Sequence, residues 1–392
     1  MMIIPAVLQL EGQMQSWRRH LHAHPELGFE EQETAAFIAG KLRDFGVEVT
    51  ERVGETGVVG TLRSTLGDGP AIGLRADMDA LPITEGRSLP HGSRFSGRMH
   101  ACGHDGHMAT LLGAAAALAR APEFAGTVHF IFQPAEEGLG GALAMLRDGL
   151  FERFPCDEIY AFHNCERPLG QILVHEKAVA AGADRFVIRL KGLGGHAATP
   201  HLARSPLPVA ARVLLQIEAL PGRLTDATSP AVVTVAAIHG GEAFNIIPDE
   251  VVLTGTVRCF DESVRRTIQD AIQRVAVAEA AISEISAHIQ HETLFAPTIN
   301  TPEKSRFLAG IAAEIAGSDN VVVNPAPEMG SEDFSFMLQE RPGCYFLIGQ
   351  GDDDHRAVCH HPEFDFNDRI LAVGASIWVR LIQRRLAQDF SS

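Results

Sequence analysis

The chain has 392 residues, 46% hydrophobic and 21% charged, a balance that excludes a disordered protein and, at roughly 150 residues per domain, suggests two or three domains. Lys and Arg number 33 against 49 Asp and Glu, a net charge of −16, which without a local basic patch argues against nucleic acid or anionic lipid as a partner. The longest apolar stretches, such as Ala114 to Ala119, are too short to span a bilayer, and the six cysteines form neither C-x-x-C pairs nor a dense disulfide scaffold. In chain order, no basic region precedes the first apolar residues and Glu11 comes early, so a cytoplasmic location is expected. Glu30 to Phe45 is amphipathic, with Ile38, Leu42 and Phe45 on one face and Gly46 as a stop. Three β-rich runs follow at 47–53, 57–62 and 71–75, then an Ala-rich helix from about 106 to 120. The apolar runs 127–132 and 158–162 read as buried strands. Helices alternating with such strands predict an α/β layer with a largely parallel sheet flanked by helices.

Between 184 and 296 the pattern changes. Residues 185–191 alternate like a half-exposed strand, 205–220 reads as a helix with Pro206 and Pro208 in its first turn, and 231–238 and 250–260 read as strands. A long helix over 261–281 and an alternating strand over 284–292 complete the order β-α-β-β-α-β. That order predicts a ferredoxin-like α+β insertion: a four-stranded antiparallel sheet with two helices on one face and the other face open to an interface. From Pro297 the α/β pattern resumes, with a helix at 302–316, a strand at 344–348 and a last helix at 369–386. The expected architecture is a catalytic domain of residues 1–183 and 297–392, interrupted by a lid or dimerisation domain of residues 184–296.

Four segments place metal-capable side chains at strand ends or a helix start. In His100-Ala-Cys-Gly-His-Asp-Gly-His107, a glycine between Cys102 and His104 lets a tight backbone aim thiolate and imidazole at one point. Gln133-Pro-Ala-Glu-Glu-Gly138 follows one buried strand directly, His163 ends another, and Cys359-His-His-Pro362 is the fourth. In open α/β sheets, ligands gather at the carboxyl ends of strands, so these segments can converge. Glu136 and Glu137 are neighbours on an extended backbone and point in different directions, so one can hold metal while the other accepts a proton from a metal-acidified water. The alternative for the pair is two solvated acids in a turn.

These segments carry a resemblance. Arg75-Ala-Asp-Met-Asp-Ala-Leu-Pro82, Met99 to His107 and Gln133 to Gly138, with Arg19-His-Leu-His-Ala-His-Pro-Glu-Leu-Gly28 and His360-His-Pro-Glu-Phe-Asp-Phe-Asn367, resemble the aminoacylase and hippurate hydrolase family over essentially the whole chain. That family includes the plant auxin-conjugate amidohydrolases and is related to carboxypeptidase G and succinyl-diaminopimelate desuccinylase. The resemblance implies a dinuclear metal site with Cys102, His104, Glu137, His163 and His360 as ligands and Glu136 as base. Cys102 stands where more distant relatives use a bridging aspartate. Asp77 and Asp79 stand where relatives keep a histidine ligand and the aspartate that orients it, and both read here as supports behind the ligands. Position 361 is His where relatives often have Asn or Ser, so His360 and His361 are both candidates and the resemblance implies His360. Two divalent ions are expected; thiolate and imidazole favour zinc, and manganese, cobalt and nickel are other metals of the family.

The remaining histidines have simpler readings. His20, His22 and His24 lie near a helix end and read as capping and packing residues, and His100 and His107 are left outside the ligand set. In the insertion, Gly192-Leu-Gly-Gly-His196 lacks the Lys-Ser/Thr of a nucleotide loop. The resemblance implies that His196 stabilises the oxyanion and that Asn245 and Arg258 hold the substrate's carboxylate, Arg258 through its planar fork. Asn245 otherwise reads as a turn residue before Pro248, and Arg258 as a surface strand arginine. The expected function is metal-dependent hydrolysis of N-acyl or N-aroyl amino acids, hippurate among them, by a homodimer joined through the insertion. A metallo-dipeptidase or carboxypeptidase, and a non-catalytic metal-binding protein on the same scaffold, are the alternatives. A general base at Glu136 argues against the last, because storage needs none.

Overall fold

The computed structural model describes residues 1–122 and 124–387. The chain divides into two compact units: Met1–Val179, Ile299–Pro327 and the chain from Asp333 form the first, and Ala180–Thr298 with Glu328–Glu332 the second. The second begins before residue 184 because Gly182 and Ala183 already pair in its sheet, opposite Cys259 and Arg258. The return at 328–332 carries no pattern in the sequence; it joins the second unit through Ala181, whose N–H lies 3.0 Å from the Glu328 carbonyl and 2.9 Å from that of Gly330.

An eight-stranded sheet forms the middle of the first unit, in the order Glu48–Val53, Gly57–Arg63, Thr127–Gln133, Ala71–Asp77, Glu158–Pro168, Gly343–Gly351, Ile172–Val174, Val321–Val323. Its central four strands, Thr127–Gln133 through Gly343–Gly351, run parallel. Antiparallel pairs lie outside them. Alternate residues of one strand feed two cores. Phe130 and Phe132 join the cluster containing Met14, Leu111 and Trp378, while Ile131 joins Met145, Leu150 and Phe334 on the opposite face. Both faces are covered, so the strand reads as an unbroken apolar run. The helices Glu11–Ala23, His104–Arg120 and Leu371–Arg385 pack together on the first face.

The second unit has a four-stranded antiparallel sheet in the order Ala231–His239, Glu250–Cys259, Gly182–Lys191, Ser286–Phe295. Phe186, Ile188 and Leu190 point to one face, where Val209, Val213 and Ile217 of helix Leu207–Glu218 and Ile268, Ile272 and Ala276 of helix Glu262–Ile282 cover them. Asp261 starts the longer helix by accepting from the N–H groups of Ser263 and Val264. The intervening residues Arg185, Val187 and Arg189 turn to the other face, where Arg185 pairs with Glu292 and Arg189 with Glu250.

Candidate metal centre

Sheet register sets the site. Asp77 lies opposite Gln133, and Arg75 opposite Ala161, so His163 comes level with Asp77 at the carboxyl end of the parallel strands. After Gln133 the chain turns at Ala135, whose φ of 53° is the left-handed region a non-glycine residue seldom enters. Glu136 and Glu137 follow within the turn rather than on extended backbone, and a carboxylate oxygen of each comes within 4.8 Å of the other and of a His104 ring nitrogen. Across the sheet, Gly103 at φ 97° bends the chain into helix His104–Arg120. A Cβ on Gly103 would lie 2.1 Å from Asn164 Oδ1, so only glycine fits there.

The donor atoms converge in overlapping groups: Cys102, His104 and His163; Cys102, Glu137 and His360; and His104, Glu136 and Glu137, each within 4.8 Å. Cys102 Sγ is 3.3 Å from His163 Nε2, and His360 Nε2 is 3.1 Å from Glu137 Oε1. All five residues expected as ligands and the expected base therefore meet in one place. The imidazoles are oriented from behind. His104 donates from Nδ1 to the Asp79 carbonyl at 2.8 Å, and His163 from Nδ1 to the Asn164 carbonyl at 2.7 Å, so the neutral ring of each turns its Nε2 lone pair to the site. His104 Nε2 is buried and has no hydrogen-bond partner in the protein. A divalent ion fits this donor set and would satisfy that nitrogen.

The electrostatics point the same way. Burial opposes a charge on His104, but Asp77, Asp79 and Glu137 outweigh it and raise its pKa to about 10. Burial also lowers His163, with help from His107, to about 3. Burial opposes ionisation of Glu137, but His360, His104 and Cys102 hold its carboxyl below the usual range. The Cys359 thiol, burial and the Glu137 and Glu136 carboxylates push the Cys102 thiol well up. So much negative charge around an acid that prefers to stay protonated is what a cation would neutralise.

Several residues that frame the site carry no spacing signal in the sequence. Arg75 donates to Asp77 at 2.8 Å, to Gln133 at 2.9 Å and to Asp333 at 3.2 Å, tying two strand ends to the start of helix Phe334–Glu340. Asp333 also accepts from Ala142 N–H at 2.8 Å. Glu31 accepts from Ala135 N–H at 2.9 Å and from Thr56 Oγ1 at 2.6 Å, and so holds the strained turn. Asp79 Oδ2 accepts from Glu137 N–H at 3.0 Å. His107 spends both ring nitrogens, on Asp77 Oδ1 at 2.6 Å and Asn164 Oδ1 at 2.8 Å. His22 meets Asp105 at 2.8 Å and Glu85 at 3.3 Å, His20 stacks on Phe37, and His24 caps the end of Glu11–Ala23 through the His20 carbonyl at 2.7 Å. His361 is exposed, and its Nδ1 accepts from Glu363 N–H at 3.1 Å.

In the second unit, His196 and Asn245 come together on a short ladder. Ile246 pairs with His196, and Ala197 N–H donates to the Asn245 carbonyl at 3.0 Å. Ala198 N–H donates to His196 Nδ1 at 3.0 Å, so the neutral ring carries its proton on Nε2 and presents a donor to solvent. Arg258 lies opposite Val232 in the sheet and donates to Ser331 Oγ at 2.6 Å.

Residues 73–384 match the model of peptidase family M20/M25/M40. The hippurate hydrolase of Campylobacter jejuni is 39% identical over 98% of this chain and 100% of its own length. An IAA-amino acid hydrolase, ILR1-like 2, of Arabidopsis thaliana is 37% identical over 95% of this chain and 85% of its own. Among solved structures, the YXEP protein of Bacillus subtilis, described as a dinuclear metal binding peptidase from the M20 family, superposes with a TM-score of 0.84 at 31% identity over 97% of this chain and 99% of that one. The chain belongs to peptidase family M20/M25/M40.

Proposed function

We propose that this protein is a metal-dependent amidohydrolase that cleaves N-acyl or N-aroyl amino acids, hippurate-like compounds among them, to a carboxylic acid and a free amino acid. The observation that carries the reading is the convergence of Cys102, His104, Glu137, His163 and His360 with a second carboxylate, Glu136. The five would hold two divalent ions, zinc or manganese first, with cobalt and nickel also suited to the donor set. Bound there, the ions would supply Lewis acidity to the amide carbonyl and bring the pKa of a water to about 7. Glu136 takes the attacking water's proton on a carboxylate oxygen and passes it to the leaving amine nitrogen. His196 donates from Nε2 to the oxygen that becomes negative. Arg258 and Asn245 hold the substrate carboxylate, which gives an acidic protein a local cationic contact for an acidic substrate.

Charge supports a small-molecule substrate and no nucleic acid. Among the described residues no helix is long and apolar enough to cross a membrane. We place the protein in the cytoplasm on its free cysteines, and the half-covered sheet of the second unit supports a homodimer joined through it. The test is a panel of N-acyl amino acids, their carboxamides and free dipeptides on metal-reconstituted protein. Turnover of the acyl amino acids above both other sets supports the reading. Preference for dipeptides with a free α-amino group would make it a peptidase, and no turnover of any compound would refute catalysis.

A further inference from the structure

Cys359 has no part in the chemistry above, yet it lies against the site. It is 257 residues from Cys102 in sequence, and its thiol reaches the Cys102 carbonyl at 3.8 Å. The His360 N–H donates to the Ala101 carbonyl at 2.7 Å, clamping the two segments side by side. Asn164 Nδ2 lies 3.5 Å from Cys359 Sγ, and Cys102 Sγ lies 3.3 Å from Nε2 of His163, the residue before Asn164. Among the described residues Cys359 is the one cysteine that is not buried. A reactive molecule from solvent therefore meets this sulfur first, and the buried thiol behind it is placed to react next.

We propose that Cys102 and Cys359 are a site of oxidative modification, at which a peroxide closes the two thiols into a disulfide that shuts metal out. The proposal rests on the reading of Cys102 as a metal ligand. In the first step the Cys359 sulfur attacks the peroxide: an S–O bond forms, the O–O bond breaks, and one water leaves. In the second the Cys102 sulfur attacks the Cys359 sulfur: the S–S bond forms, the S–O bond breaks, and hydroxide departs with the Cys102 proton as a second water. Two thiols are oxidised and one hydrogen peroxide is reduced to two waters. A sulfur in a disulfide cannot serve as a thiolate, so the groups that depend on Cys102 lose a donor. A Cys102 thiolate held by metal is correspondingly withdrawn from the reaction, so metal protects the pair.

The experiment treats the full chain with hydrogen peroxide, either stripped by chelator or loaded with zinc, and follows non-reducing peptide maps, intact mass and zinc uptake after desalting. The expected result is a Cys102–Cys359 linked peptide and loss of two hydrogens in the stripped protein, markedly less in the loaded one. Zinc uptake by the closed protein falls and returns after dithiothreitol. Cys359→Ser, with Cys359→Ala as a second variant, forms no link at the same dose and retains its zinc uptake. The parent's peptide map needs no variant to fold. Absence of the linked peptide, or loss of zinc uptake as fast in Cys359→Ser as in the parent, overturns the proposal. A linked peptide with unchanged zinc uptake also overturns it, through the ligand reading, and Cys102→Ser tested without oxidant shows that failure separately by binding zinc like the parent.

Discussion

Ala135 is held at φ 53° between a buried strand and the two glutamates, and the Glu31 carboxylate receives its N–H. Glu31→Ala leaves that N–H and the Thr56 hydroxyl without their acceptor, and a buried polar group left so costs about 1–3 kcal/mol. Chemical denaturation is expected to show a loss in that range, together with lower turnover as Glu136 and Glu137 lose their alignment; unchanged stability would mean the turn holds itself. Cys102→Ser replaces a thiolate by a much poorer ligand, and metal affinity is expected to fall by more than the ~10–100-fold that an outer partner's loss typically costs. An unaltered metal titration would remove Cys102 from the site. At this scale the converging residues were legible because each sits in a short motif, most at a strand end or helix start; His360 instead lies in a turn well past Gly351, against that expectation. Glu31 and Asp333 were not legible. They reach the site from distant segments, and nothing in their local spacing distinguishes them from other buried or turn residues.

At the scale of elements, helix His104–Arg120 carries both a donor and its support. Gly106 in its first turn lies under Phe366, whose ring carbons would be 2.4 Å from an added Cβ. Phe366 is fully buried and cannot retreat, so Gly106→Ala is expected to cost about 1–3 kcal/mol by overpacking, read as a lower denaturation midpoint. The next residue but one toward the N-terminus, His104, would shift with it. The same helix is tied to Glu11–Ala23 through His22 and Asp105. Burial opposes a charge on His22, but Asp105 and Glu85 outweigh it and raise its pKa from 6.5 to about 9. A raised pKa means the folded state binds the proton more tightly, so this contribution is fully present below pH 6.5 and lost as the pH rises through about 9. Tm is therefore expected to fall across that window in the parent and to fall less in His22→Gln; equal slopes would dismiss the ion pair. The helices were legible from period and stops, and Pro302–Ala316 starts and ends where its proline and glycine place it. The central strands were legible as apolar runs. The runs at 47–53 and 57–62 also marked Glu48–Val53 and Gly57–Arg63, whereas Ile172–Val174 and Val321–Val323 were not marked, because strands of three residues carry too few alternating positions.

Across the whole molecule, the proposed chemistry draws on both units, with the metal-capable residues in one and His196, Asn245 and Arg258 in the other. His196→Ala is expected to lower kcat far more than it raises KM, because its contact strengthens in the transition state, and an unchanged kcat would end the oxyanion role. Arg258→Ala is expected to weaken binding of substrates with a free carboxylate while leaving their amides little affected. The change from α/β to β-α-β-β-α-β order made the insertion legible; the 328–332 return did not show itself, because it contributes backbone contacts and no pattern of its own. The most direct test of the account is hydrolysis of hippurate and related acyl amino acids by the full chain before chelation, after it, and during titration with zinc or manganese. The account predicts that turnover vanishes with the metal and returns in step with two bound equivalents. Turnover that persists at the original rate in protein shown by elemental analysis to hold no metal would contradict it.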